Sequence, residues 1–144
     1  MSVQLQLLFI VCLLLVSSVF GKDLSRDEFD EIVKDERVLA VEFYSPMCGS
    51  CKEFAGTWAQ LETKLKSVIT AKVNIDTAHG MDIAKTQQVL EEGIPNVRLY
   101  KSSGGKSVSL MKGDLRSAKD LLQHIRAEVN SLNRRDDGFF LKAP

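Results

Sequence analysis

The spacing of apolar side chains changes period several times between residues 25 and 132, and each change marks an element. Ser25-Arg26-Asp27-Glu28 has the form of a capping box, in which a serine and an acid three residues on satisfy each other's backbone N–H groups. Phe29, Ile32 and Val33 then follow at helical spacing. Val38 to Tyr44 is nearly continuous in apolar residues and predicts a central strand buried on both faces, which makes its one acid, Glu42, conspicuous. Ser45-Pro46 turns the chain. From Cys48 to Val68, the residues Phe54, Trp58, Leu61, Leu65 and Val68 make one stripe, the mark of a long amphipathic helix whose apolar face packs a core. Gly56 is its expected weak point.

Further on, Ala71, Val73 and Ile75 alternate with Lys72, Asn74 and Asp76, which predicts a second strand. Asp82 to Leu90 reads as a helix ended by Gly93. Beyond Ile94-Pro95, Val97 to Tyr100 and Val108 to Met111 flank the polar turn Ser102-Ser103-Gly104-Gly105 and read as a hairpin. Ser117 to about Leu132 closes the series with Leu121, Leu122, Ile125 and Val129 on one face. Helix, strand, helix, strand, helix, hairpin, helix predicts a mixed sheet with helices on both faces, an α/β fold. Residues 133–144 read as a tail whose Phe139, Phe140 and Leu141 are available to dock.

The first residues belong to a different class. Leu5 to Val16 is almost unbroken Leu, Ile, Val, Phe and Cys, followed by Ser17, Ser18, Val19, Phe20 and Gly21. That is the pattern of a secretory signal peptide spanning residues 1–21, with cleavage after Gly21 or, in competition, near Ser18. About a dozen apolar residues fall short of the roughly 20 that cross a bilayer, and no later stretch is longer, so no membrane span is expected after cleavage. The 144 residues then leave one domain, residues 22–132. Lys plus Arg and Asp plus Glu are 19 each, so no bulk attraction to nucleic acid or anionic lipid is expected.

Signal cleavage also settles the cysteines. It removes Cys12 and leaves Cys48 and Cys51 of the original three, in a chain bound for an oxidising compartment. In Cys48-Gly49-Ser50-Cys51 the first cysteine falls at the start of the long helix, where unpaired backbone N–H groups and the helix dipole favour a thiolate. Cys48 is therefore the candidate nucleophile. Cys51, one turn later, is placed to resolve a mixed disulfide formed there. The same spacing supplies half of many zinc sites, but the remaining candidates, His79 and His124, are far apart in sequence and in no zinc-finger spacing, so neither a metal nor a cofactor is expected.

The segment from Val41 to Lys52, including Glu42 and both cysteines, closely resembles the active-site segment of the thioredoxin-like domains of protein disulfide isomerases. Lys72-Val73-Asn74-Ile75-Asp76 resembles the family's third strand, Gly93-Ile94-Pro95 its cis-proline loop, and Lys112-Gly113-Asp114-Leu115-Arg116 the entry to its last helix. The resemblance implies a thioredoxin fold and a redox-active Cys48–Cys51 disulfide. It makes Glu42 the buried acid that takes the proton of Cys51, and Lys72 the partner of that acid. It implies that the Ile94–Pro95 bond is cis and that Ile94, Pro95, Met47, Gly49 and Ser50 contact substrate. Arg116 matches an arginine that modulates the second thiol.

Two departures bear on chemistry: Met47 stands where the family usually has Trp, and Ser50 where it has His. Without that histidine the disulfide should be less oxidising than a typical isomerase site, between roughly −180 mV and the roughly −270 mV of thioredoxin. Gly56 replaces a common proline, and Leu141-Lys142-Ala143-Pro144 is not a K-D-E-L-type signal, which leaves the lumen of the endoplasmic reticulum or secretion as expected destinations. The expected partners are cysteine-bearing client proteins and a redox partner, acting on a monomer. Two other readings stay open: a binding or escort module with a static disulfide, and a dedicated reductase, which Ser50 and Ile94 favour. Resistance of the Cys48–Cys51 bond to mild reductant would mark the static case.

Overall fold

The computed structural model describes residues 23–144, so the expected signal peptide lies outside the described residues. The helices are α1 (Arg26–Lys34), α2 (Gly49–Lys64), α3 (Ala78–Thr86) and α4 (Ala118–Val129); the strands are β1 (Leu39–Tyr44), β2 (Ile69–Asn74), β3 (Asn96–Tyr100) and β4 (Val108–Lys112). The strand order is β2-β1-β3-β4, with β1 parallel to β2 and antiparallel to β3, and β3 antiparallel to β4. The element order is the one the apolar periods predict. The reciprocal capping box at Ser25 and Glu28 is present as well.

Alternation along β1 explains why its sequence is apolar throughout. Val38 and Ala40 pack into one core with Phe54, Trp58, Leu61 and Leu65 of α2 and Leu121 and Ile125 of α4. Leu39, Val41 and Phe43 face the opposite core, with Phe29 of α1 and Ile83 of α3. Burying one such large side chain contributes about 2–3 kcal/mol, so β1 is the strand both layers depend on. By the same parity Glu42 points into the layer beneath α2, and only 1% of its side chain is exposed.

The boundaries differ from expectation in three places. Helix α3 begins at Ala78, four residues earlier than the pattern suggests, because the Thr77 hydroxyl caps the N–H of Gly80 at 3.0 Å. Gly80 is buried there, and a Cβ at that position would collide with the Asn74 carbonyl. His79, which precedes the Asp82 start read from the pattern, therefore lies in the first turn of the helix. The same helix stops at Thr86, well before Leu90, and Gln88 adopts a left-handed φ of 58°. Helix α2 runs unbroken through Gly56 and ends at Lys64, with Leu65 as its C-cap.

Residues 133–144, read as a tail, are docked. The Phe140 N–H donates to the Ser67 carbonyl at 3.0 Å and its carbonyl accepts from the Val38 N–H at 2.8 Å. Its ring packs on the α2–α4 core, while Phe139 packs on the other. The Lys142 ammonium donates to the Val33 and Asp35 carbonyls at 2.8 and 2.6 Å, capping the end of α1.

Candidate active site

Strand β1 delivers the reactive segment at its carboxyl end, and hydrogen bonds pin the turn that follows. The Ser45 hydroxyl donates to Asp76 at 2.7 Å and accepts from the Met47 N–H at 3.0 Å. The Ser45 carbonyl accepts the Cys48 N–H at 3.2 Å. Cys48, with φ −85° and ψ 123°, is the N-cap of α2. Its sulfur accepts the Cys51 N–H at 3.2 Å and lies 3.2 Å from the Ser50 hydroxyl. Sulfur thus takes the place of the usual Ser or Asp oxygen at a helix start.

This geometry separates the two thiols. Partial burial alone would raise the Cys48 pKa, but hydrogen bonds from the Cys51 thiol, the Ser50 hydroxyl and the backbone of both residues outweigh it and bring the value down. Cys51 is 3% exposed. Burial above all, with its hydrogen bond to Cys48 second, pushes its pKa up to about 12. Both are thiols in this structure. The two shifts run in opposite directions.

Glu42 is the buried carboxylate whose charge acts on Cys51. Burial pushes its pKa up to about 7, against the opposing pull of Lys72, whose ammonium lies 3.4 Å from Oε2. Lys72 is Glu42's register partner across β1 and β2, and its ammonium also sits 4.1 Å from the centre of the Tyr44 ring. Lys72 keeps 21% of its side chain exposed.

The antiparallel register Phe43↔Asn96 carries the loop before β3 to the same end of the sheet as Cys48. The Ile94–Pro95 bond is cis. Pro95 is buried and its carbonyl accepts the Gly113 N–H at 3.0 Å, while Ile94 stays partly exposed. Around that end Met47 is 83% exposed, and Leu115 and Leu90 are the other large apolar side chains left open among the described residues. Arg116 follows Leu115 on the exposed loop before α4, and no hydrogen bond or ion pair ties it to the cysteine pair.

A thioredoxin family model matches residues 21–127. The chain belongs to the thioredoxin family. Within it, this is a single domain of the protein disulfide isomerase type. It is 30% identical over 137 residues to a protein disulfide-isomerase of Medicago sativa, covering 85% of this chain but 26% of that protein. It is 32% identical over 80 residues to protein disulfide-isomerase A4 of Homo sapiens, covering 54% of this chain and 12% of that one. The chain thus spans about a quarter of the length of the first of these relatives. Among solved structures, the J-Trx1 fragment of ERdj5 superposes with a TM-score of 0.65 at 27% identity, covering 77% of this chain and 52% of that one. The first thioredoxin domain of mouse protein disulfide-isomerase A4 superposes at 0.62 over 89% of this chain and 92% of that one; at 23% identity it speaks for the fold alone.

Sequence reasoning missed three parts of this thioredoxin domain. Ser45 holds the turn, yet a serine before a proline reads only as a turn residue. Ser50 appeared as the loss of a histidine, whereas its hydroxyl stands beside the Cys48 sulfur. Glu92 gathers Asn96, Arg98, Ser109 and Lys112 at 2.9–3.1 Å and anchors the strands that flank the Pro95 loop. Such a hub exists only once β3 and β4 are paired. Among the described residues no three His, Cys, Asp or Glu side chains are grouped to hold a metal ion.

Proposed function

We propose that this domain is a thiol–disulfide oxidoreductase acting on cysteine-bearing proteins of the secretory pathway. The family match supports that chemistry in general. The observation that carries the reading is the asymmetry of the pair: Cys48 at the start of α2 with its pKa lowered, and Cys51 buried one turn behind it with its pKa raised. The Cys48 thiolate attacks a client disulfide, forming a mixed disulfide and releasing one client thiolate. Glu42 takes the proton of Cys51, whose sulfur then attacks Cys48 and releases the second client thiolate. The client gains the two electrons and Cys48–Cys51 closes as a disulfide; in reverse, the same steps oxidise a client dithiol. Ile94, Pro95, Met47, Gly49 and Ser50 line the place where an extended client segment lies. The apolar stretch within residues 1–21 and the disulfide-isomerase relatives support a destination in the endoplasmic reticulum lumen or outside the cell.

The test is to replace Cys51 with Ala and ask whether mixed disulfides accumulate. Capture of clients through Cys48, together with reduction of insulin disulfides by the unaltered protein, is expected. An unaltered protein that reduces nothing, alongside a variant that traps nothing, rules the reading out.

A further inference from the structure

Six buried side-chain polar atoms have no hydrogen-bond partner among the described residues, and four of them belong to one layer. Parity puts Thr70 and Lys72 of β2 on the face of the sheet shared by Ala40 and Glu42 of β1, since Ile69, Ala71 and Val73 fill the opposite core. Helix α2 covers that face with Phe54, Trp58 and Leu61, and Glu62 sits one turn beyond Trp58, on the flank of the same stripe. The four are Glu42 Oε2, which meets the Lys72 ammonium only as an ion pair at 3.4 Å, and Trp58 Nε1, Glu62 Oε1 and Thr70 Oγ1. A polar seam therefore runs under α2, inside an otherwise apolar layer.

The seam has a closed end and an open one. Glu42 is sealed, with 1% of its side chain exposed, whereas Lys72 at the β2 edge retains 21% and Glu62 is half-buried. A carboxyl that accepts a proton in every cycle must pass it on before the next, and Glu42 has no face on solvent through which to do so. Buried polar atoms that lack protein partners are satisfied by internal water when the site is polar enough to hold it. The charged groups that act on Glu42 are Lys72 and Asp23 from the β2 edge and Glu62 from α2, and Glu42 in turn acts on the Cys51 thiol. Glu62 is the one carboxylate of that set contributed by the covering helix.

We propose that Glu62 is a positioning residue of the thiol–disulfide reaction, its carboxylate forming the outer stage of a hydrated seam by which the proton taken from Cys51 leaves Glu42 for solvent. The proton is the only species that moves along this path: Glu42 returns to carboxylate, Glu62 relays the proton to water, and no electron is involved. The like charge of Glu62 also favours the protonated form of Glu42, in the direction that helps it act as a base near neutral pH. This inference rests on the function proposed above.

The experiment loads Cys48 with thionitrobenzoate and follows its release, which reports attack by Cys51, across the neutral pH range and at low and high buffer concentration. In Glu62→Gln, release should be several-fold slower at low buffer, recover as buffer rises, and have its inflection moved to lower pH by roughly half a unit. Glu31→Gln, an equal charge change on an exposed face of α1, should superpose on the unaltered protein. A Glu62→Gln profile identical to the unaltered one overturns the inference and leaves the proposed function standing. A uniform slowing with unchanged inflection and no buffer dependence also overturns it, in favour of a packing role. If the unaltered protein does not expel the chromophore, the proposed function fails and this inference with it.

Discussion

Lys72 stands opposite Glu42 in the parallel register of β1 and β2, and its ammonium approaches a carboxylate oxygen to 3.4 Å while only 1% of the acid's side chain is exposed. The pair does not rest as an ordinary salt bridge. Burial outweighs the attraction, so the acid's pKa stays near 7 and not in the usual carboxylate range.

Removing the ammonium should leave burial unopposed. In Lys72→Met, which keeps an unbranched side chain but loses the ammonium over Tyr44, the Glu42 pKa should climb above 7 by roughly one unit. The pH profile of Cys51 attack on a mixed disulfide reads this directly. An inflection that stays put or moves down would show that the 3.4 Å contact has no electrostatic consequence.

Glu42 should also limit stability. Its folded pKa is raised above the ordinary carboxylate value, so the folded state holds the proton more tightly than the unfolded chain does. Its favourable contribution is thus fully present below the ordinary value and is lost as pH rises through about 7. Glu42→Gln should match the unaltered protein near about pH 4 and exceed it by roughly 3 kcal/mol near about pH 8. Urea unfolding at both pH values checks this; a difference that does not grow with pH would contradict it.

Alkylation should distinguish the cysteines. Iodoacetamide at neutral pH is expected to modify Cys48 and spare Cys51, because only the former combines exposure with a lowered pKa. Ser50→Ala removes the hydroxyl 3.2 Å from the sulfur and should raise the Cys48 pKa by roughly half a unit to one unit. Peptide mapping and thiolate absorbance against pH measure the two effects, and equal labelling of both thiols would refute the asymmetry.

The docked segment should be part of the folding unit. Phe140→Ala removes a ring that packs on the α2–α4 core and carries the Arg134 guanidinium 4.2 Å from its centre, at a cost of about 2 kcal/mol. Thermal unfolding of this variant, and of a chain ending at residue 132, should show lowered Tm in both. Unchanged melting would mean that residues 133–144 merely rest on the surface.

The elements that could be read in advance are those whose signal is local. The capping box at Ser25 needs four residues, and the continuous apolar run of β1 announces burial on both faces. Helix α3 resisted because Gly80 and His79 conceal its first turn. The glycine is required by the close approach of the Asn74 carbonyl, a contact made across the β2–α3 turn. Residues 133–144 looked like a tail because their hydrogen bonds go to Ser67, Val38 and the end of α1, none of them near in sequence. Arg116, given a role only by the resemblance, lies on the exposed loop before α4.

By itself the sequence determined the Cys48–Cys51 pair, its place at a helix start, and the presence of one acid inside a buried strand, because each is written in spacing along the chain. Tertiary structure decided what those groups are worth. Register set Lys72 against Glu42, burial drove the acid's pKa toward 7, and the depth of Cys51 raised the pKa of its thiol. Desolvation and charge act through space, and only the folded chain fixes which groups are close and which have lost their water.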